Sequence, residues 1–234
     1  MSKKLKVCWL SAGVSSLVAG YLAKDIDEYI YIHIKEQHED SLRFIKDCEI
    51  FLGKEVTIIE SGSVHETIKK TRFINGAYGA RCTLELKKKI RHEWEKAHAD
   101  YQITYVWGFD LKEKHRAERI LETYPEFSHE FPLIENGISK AQAHGILKEL
   151  QLKRPKMYDL GYSNNNCVGC VKGGMGYWNK IRTDFPEVFD KMAKLEREIG
   201  RSCIKGVFLD ELDPERGRME KEIIPECTSL CGTL

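Results

Sequence analysis

The sequence predicts an α/β protein, a parallel twisted sheet flanked by helices and followed by a C-terminal helical, cysteine-rich cap. Short β-rich runs alternate with helical periodicity from Lys6 to Trp107, and small residues such as Ser11-Ala12-Gly13 and Gly53 punctuate them. Beyond Pro132 the pattern changes to helices and loops rich in Gly, Asn and Cys. Strands alternating with helices close into parallel sheets with helical cover, and such sheets bind ligands at the C-terminal ends of their strands.

Each element has its own signal. Lys6–Leu10 is an apolar run that stops at Ser11-Ala12-Gly13, and helical spacing follows through Leu17, Val18, Tyr21 and Leu22. Glu28–Ile34 is the second strand. His38–Leu52 carries Leu42, Phe44, Ile45 and Cys48 at helical spacing, with Gly53 placed to end it. Glu55–Ile59 is the third strand, Thr83–Lys96 a long basic helix and Tyr101–Trp107 the fourth strand.

Composition bounds the function classes. A chain of 234 residues fits one continuous domain, read as a core over 1–131 and a cap over 132–234. A net charge of +1 gives no global field toward nucleic acid or a membrane surface. No stretch approaches the roughly 20 apolar residues of a membrane span. The apolar run after Met1-Ser2-Lys3-Lys4-Leu5 is too short for a signal-peptide core. Eight cysteines without a secretion signal therefore read as thiols or metal ligands of a soluble, cytoplasmic protein.

Three segments carry chemistry. Ser11, Ala12, Gly13, Val14, Ser15 and Ser16 join a strand to a helix, where small residues admit an anion and hydroxyls and helix amides supply donors. An ordinary turn with an N-capping serine reads the same residues equally well. Cys167-Val168-Gly169-Cys170 brings two thiolates to one point, as a metal knuckle does, and Cys227 and Cys231 form a second close pair. The rival reading is a redox dithiol. Cys8 and Cys48 read as core residues. Lys87, Lys88, Lys89 and Arg91 form a basic run, and Lys172-Gly173-Gly174 reads either as an anion loop opening a helix or as a flexible turn.

These motifs together resemble the PAPS/APS (sulfonucleotide) reductase family of the PP-loop superfamily of adenine-nucleotide enzymes. Ser11–Ser16 resembles the PP-loop, with Ala12 in place of a glycine and Ser15 where ATP-hydrolysing members have aspartate. Met157-Tyr158-Asp159-Leu160-Gly161-Tyr162, through Cys167 and Cys170, resembles the segment that carries one cluster-binding cysteine pair. Arg81-Cys82-Thr83-Leu84-Glu85-Leu86-Lys87-Lys88 resembles the segment that carries the other, with one cysteine where the family has two. Trp107-Gly108-Phe109-Asp110, with Arg116 and Arg119, is similar to the substrate loop, and Arg216-Gly217-Arg218 before Glu226-Cys227 to the nucleophile-bearing tail.

The resemblance implies a PP-loop (HUP-like) fold and an enzyme that reduces a sulfonucleotide by cysteine thiol and iron–sulfur chemistry. Its nucleotide contacts would be Ser11 to Ser16, Gly108 and Arg116, and its anion contacts Lys87, Lys88, Arg119 and Lys172. Cys82, Cys167, Cys170, Cys227 and Cys231 supply the ligands of a 4Fe–4S cluster, with zinc as the alternative, and Cys227 or Cys231 the nucleophile. A thioredoxin-like protein is the implied thiol donor, a homo-oligomer is compatible, and neither nucleic acid nor a membrane is an expected partner. The alternatives are an ATP-dependent PP-loop sulfurtransferase of the nucleic-acid thiolation type, and a non-catalytic nucleotide-binding regulator with structural zinc.

Overall fold

The structure, a computed structural model, describes residues 3–76, 79–222, 224 and 226–227. Cys231 and Gly232 lie outside the described residues. The protein is α/β, with a five-stranded, all-parallel sheet in the order β3-β2-β1-β4-β5. The strands are β1 (Lys3–Leu10), β2 (Glu28–His33), β3 (Val56–Glu60), β4 (Tyr101–Val106) and β5 (Ser128–Glu130). The first four fall within one to three residues of their expected bounds, whereas β5 is an addition that the sequence reading lacks. Strand order reverses between β1 and β4, so the loops leaving these two strands flank the crevice where ligands of such sheets bind. Among the described residues no helix is long and apolar enough to cross a membrane.

Backbone contacts divide the chain into two compact units. The first comprises residues 1–33, 38–60 and 92–165 and holds the sheet. In it, helix α1 (Val14–Leu22) is apolar on nearly every side and buried from Val14 to Gly20. Gly20 is required there, because a Cβ would stand 2.9 Å from the ring of Tyr29. Helix α2 (Asp40–Leu52) buries Phe44, Ile45 and Cys48 and ends on Gly53 at φ 63°, the left-handed cap expected from the sequence. At its start Arg43 holds both carboxylate oxygens of Asp40 at 2.7 Å, and Lys156 N donates to Asp40 at 2.8 Å. Cys8 and Cys48 belong to this core, and burial pushes the Cys8 thiol up to about 12.

The second unit is woven from residues 34–37, 61–91 and 166–234. Helix α3 (Val64–Thr71) starts on Ser63, whose hydroxyl accepts from Glu66 N. Arg81–Thr83 opens the expected basic helix, which passes through a π-helical turn, Leu84–Lys88, into Lys89–Ala97. Such one-turn π segments occur often at functional sites. Two further helices, Met175–Asp184 and Pro186–Ile199, pack on each other. Glu196, fully buried, accepts from Cys203 N at 2.5 Å and Leu209 N at 2.7 Å and so pins the chain that follows its helix.

Candidate functional site

Two clusters carry the residues singled out by the sequence, one in each unit. In the first unit, the loop after β1 folds on itself. Ala12 takes a left-handed conformation at φ 58°, and Gly13 begins α1 in extended conformation. The Ser16 hydroxyl accepts from Ser11 N and Ser11 Oγ, both at 3.0 Å, and donates to Gly13 O at 2.9 Å. Ser15 is 1% exposed.

Two residues that the sequence reading did not assign to this loop hold it. Tyr158 Oη lies 3.4 Å from Val14 N, and Asn165 Nδ2 donates to Ala12 O at 2.8 Å and to Ser41 Oγ at 3.0 Å. Both belong to the 157–170 stretch that leads into Cys167 and Cys170. Gly108, after β4, lies against the first turn of α1, where a Cβ would come within 2.6 Å of Ser16 N and Cα.

The candidate arginines are placed differently. Arg116 pairs with Glu113 and lies with its guanidinium 4.4 Å from the centroid of Phe109, so the protein's own groups hold it. Arg119 is exposed on the same helix. A stack of Trp107, Phe109 and Phe131 lines the segment after β4, with Trp107 Nε1 donating to His129 Nδ1 at 3.1 Å.

In the second unit, one small cavity gathers most of the thiols. Cys82, Cys167, Cys170 and Cys227 line it, with Lys87, Lys172, Thr83, Glu36 and His65 among the other walls. Each thiol arrives from a different local logic. Cys82 and Thr83 come from the short helix before the π turn. Cys167 and Cys170 flank Gly169, which at φ 76° supplies the left-handed step between them. Tyr177 Oη ties this knuckle, accepting from Cys170 N at 2.8 Å and donating to Cys167 O at 3.2 Å. Cys227 is held by its backbone, its N donating to Asn166 Oδ1 at 2.9 Å and its O accepting from Lys87 Nζ at 2.6 Å.

The thiols differ electrostatically. Burial pushes Cys82 up to about 12 and Cys167 well above the ordinary thiol range. Burial also raises Cys227, but the ammonium groups of Lys87 and Lys172 outweigh it and bring that thiol down to about 7. Cys203 is not among the cavity's lining residues, and burial beside Glu196 raises it. Lys88 is half-buried, outside the cavity wall. The anion loop expected at Lys172-Gly173-Gly174 has an internal occupant. Gly174 N and Tyr177 N, at the start of the helix Met175–Asp184, donate to the Glu222 carboxylate at 2.8 and 3.1 Å.

The donor chemistry of the cavity suits a thiophilic metal, since soft thiolates select zinc or iron–sulfur centres. Its volume of about 20 Å³ takes one water-sized body, so a single ion fits more readily than a four-iron cluster, which needs the walls to part. Among the described residues, no three Cys, His, Asp or Glu side chains stand close enough together to hold an ion as placed.

Glu36 anchors one wall. Its carboxylate accepts from Ser63 Oγ at 2.5 Å, Val64 N at 2.7 Å and His65 N at 3.3 Å, and pairs with His65 Nδ1 at 2.9 Å. Burial raises its pKa, but these hydrogen bonds prevail and hold it at about 2. A depressed folded-state pKa contributes stability that is complete above the unfolded value and fades as pH falls toward the folded one. Acid unfolding followed by circular dichroism should therefore show a loss between pH about 4.5 and about 2 that Glu36→Gln removes. A Glu36→Gln profile parallel to wild type across that window would refute this.

No family profile matches the chain. An uncharacterized protein of Methanocaldococcus jannaschii, MJ0066, is 27% identical over 213 residues, which cover 84% of this chain and 42% of that protein. The chain thus spans less than half the length of this relative.

Proposed function

We propose that the protein is a sulfonucleotide (PAPS/APS) reductase-like enzyme of the PP-loop, HUP-like type, in which the first unit binds an adenine nucleotide and the cysteine-rich second unit supplies thiol chemistry. The observation that carries this reading is the gathering of Cys82, Cys167, Cys170 and Cys227, distant in sequence, around one cavity beside Lys87 and Lys172. These are four of the five cysteines and two of the three lysines that the sequence names; Lys88 lies outside the cavity wall and Cys231 outside the described residues. The Ser11–Ser16 loop and Gly108, at the switch point of the sheet, support the nucleotide assignment.

In this reading Cys227 is the nucleophile. At a pKa of about 7 a large fraction is thiolate at neutral pH. Its sulfur forms a bond to the sulfate sulfur of the adenylyl sulfate while the sulfur–oxygen bond to phosphate breaks, and AMP or its 3′-phosphorylated form leaves with the electron pair. A thiol of a thioredoxin-like donor then attacks Cys227 Sγ and displaces sulfite, leaving a disulfide for a second donor thiol to reduce. Lys87 and Lys172 neutralise the anionic charge near the thiolate. A metal centre, when bound by the remaining thiols, supplies a local positive field. A reducing compartment such as the cytoplasm keeps these thiols available.

The absence of a carboxylate at Ser15, together with its burial, weighs against the ATP-dependent sulfurtransferase reading. Incubation with APS or PAPS without reductant should yield a thiosulfonate adduct of about 80 Da by intact mass, absent in Cys227→Ser. A protein that binds nucleotide yet forms no adduct with either compound would overturn the reductase assignment.

A further inference from the structure

One cavity group has no role in the chemistry above. His65 lines the cavity at 7% exposure, and its Nε2 is buried with no hydrogen-bond partner among the described residues. Its other ring nitrogen, Nδ1, pairs with Glu36 at 2.9 Å. The Glu36 carboxylate already accepts three further hydrogen bonds, so it serves the ring as an acceptor. A carboxylate only accepts, so Nδ1 carries a proton and Nε2 is the ring nitrogen left for a ligand.

A desolvated nitrogen lone pair without a donor is costly to bury, and most such groups in native structures have a partner. The cavity walls carry thiols, two lysine ammonium groups and the Thr83 hydroxyl, and among the described residues none of these bonds Nε2. A carboxylate fixing one imidazole nitrogen while the other faces a metal is the arrangement by which histidine ligands are oriented.

We infer that His65, through Nε2, is the nitrogen ligand of a mixed thiolate–imidazole metal site completed by Cys82, Cys167 and Cys170. This rests on the metal-centre reading given above, and it leaves Cys227 unligated. The donors surround the cavity without yet converging, so binding draws the side chains in, as coupled metal binding and local ordering do.

Anaerobic titration of the full-length protein with cobalt(II), and competition of that complex against a chromophoric chelator, tests the assignment. Wild type should show ligand-field bands of a tetrahedral site with mixed sulfur and nitrogen donors. His65→Ala should weaken affinity at least as much as Glu36→Gln, for which about 10–100-fold is expected from loss of the orienting carboxylate. His65→Cys should restore tight binding, with stronger thiolate-to-cobalt charge transfer and shifted ligand-field bands. That variant separates a ligand role from a folding defect. If Cys167→Ser with Cys170→Ser abolishes cobalt binding while His65→Ala leaves affinity and spectrum unchanged, the His65 assignment is wrong and the thiol centre stands. If the double serine variant binds cobalt as wild type does, the thiol centre itself is wrong.

Discussion

Serine at both Cys167 and Cys170 should strip the purified protein of any stoichiometric metal and lower its melting temperature by about 10 °C or more, if these thiols hold one. The two thiols flank the left-handed Gly169 on a knuckle whose two ends Tyr177 Oη bridges. A metal bound there contributes its binding energy directly to folding, because the unfolded chain has no preformed site. The measurements are metal analysis of anaerobically purified protein and a thermal melt. An iron-containing brown sample and a colourless zinc sample both agree with the thiol centre and identify its metal. Full metal occupancy and an unchanged melt in the double variant would remove Cys167 and Cys170 from the site.

Gly108→Ala should abolish nucleotide binding measured by calorimetry and destabilise the protein by about 1–3 kcal/mol or more. The new Cβ meets backbone, Ser16 N and Cα at 2.6 Å and Ser15 C at 2.9 Å, and no side chain can rotate to relieve it. The first turn of α1 has to move, and with it the hydroxyl bonds that Ser16 makes to Ser11 and Gly13. A melt drop of about 2–4 °C per kcal/mol would accompany the binding loss. Near-normal affinity for AMP, ATP and PAPS in a variant with a lowered melt would show that the loop after β1 holds no nucleotide.

Much of the fold was legible in the sequence because its signals are local. β1 to β4 are apolar runs bounded by turn residues, and Gly53 marked the end of α2 by the conformation that only glycine adopts cheaply there. β5 escaped because Ser128, His129 and Glu130 have neither the apolar run nor the length that announces a strand. The π turn at Leu84–Lys88 has no distinguishing composition. Of the thiol site, pair spacing pointed to Cys167 with Cys170 and to Cys227 with Cys231, whereas Cys82 came only through resemblance. Glu36 and His65 were invisible, since nothing in either segment says that a carboxylate meets an imidazole from another part of the chain. Glu222 was missed for the same reason: the helix start at Gly174 advertised an anion site, and a distant carboxylate of the same chain fills it.

The pairing of β1 with β4 has a consequence for how the protein is made. Residues 3–8 lie beside residues 101–106, so one edge of the central strand stays open until β4 has been synthesised. At ribosomal speeds of roughly 5–20 residues per second, that edge waits about 4–15 s after β2 emerges. Val7 and Cys8, fully buried in the finished sheet, belong to the strand that waits. Nascent chains therefore pass through a window in which a central apolar strand can meet another copy of itself, and slower elongation between β2 and β4 lengthens that window.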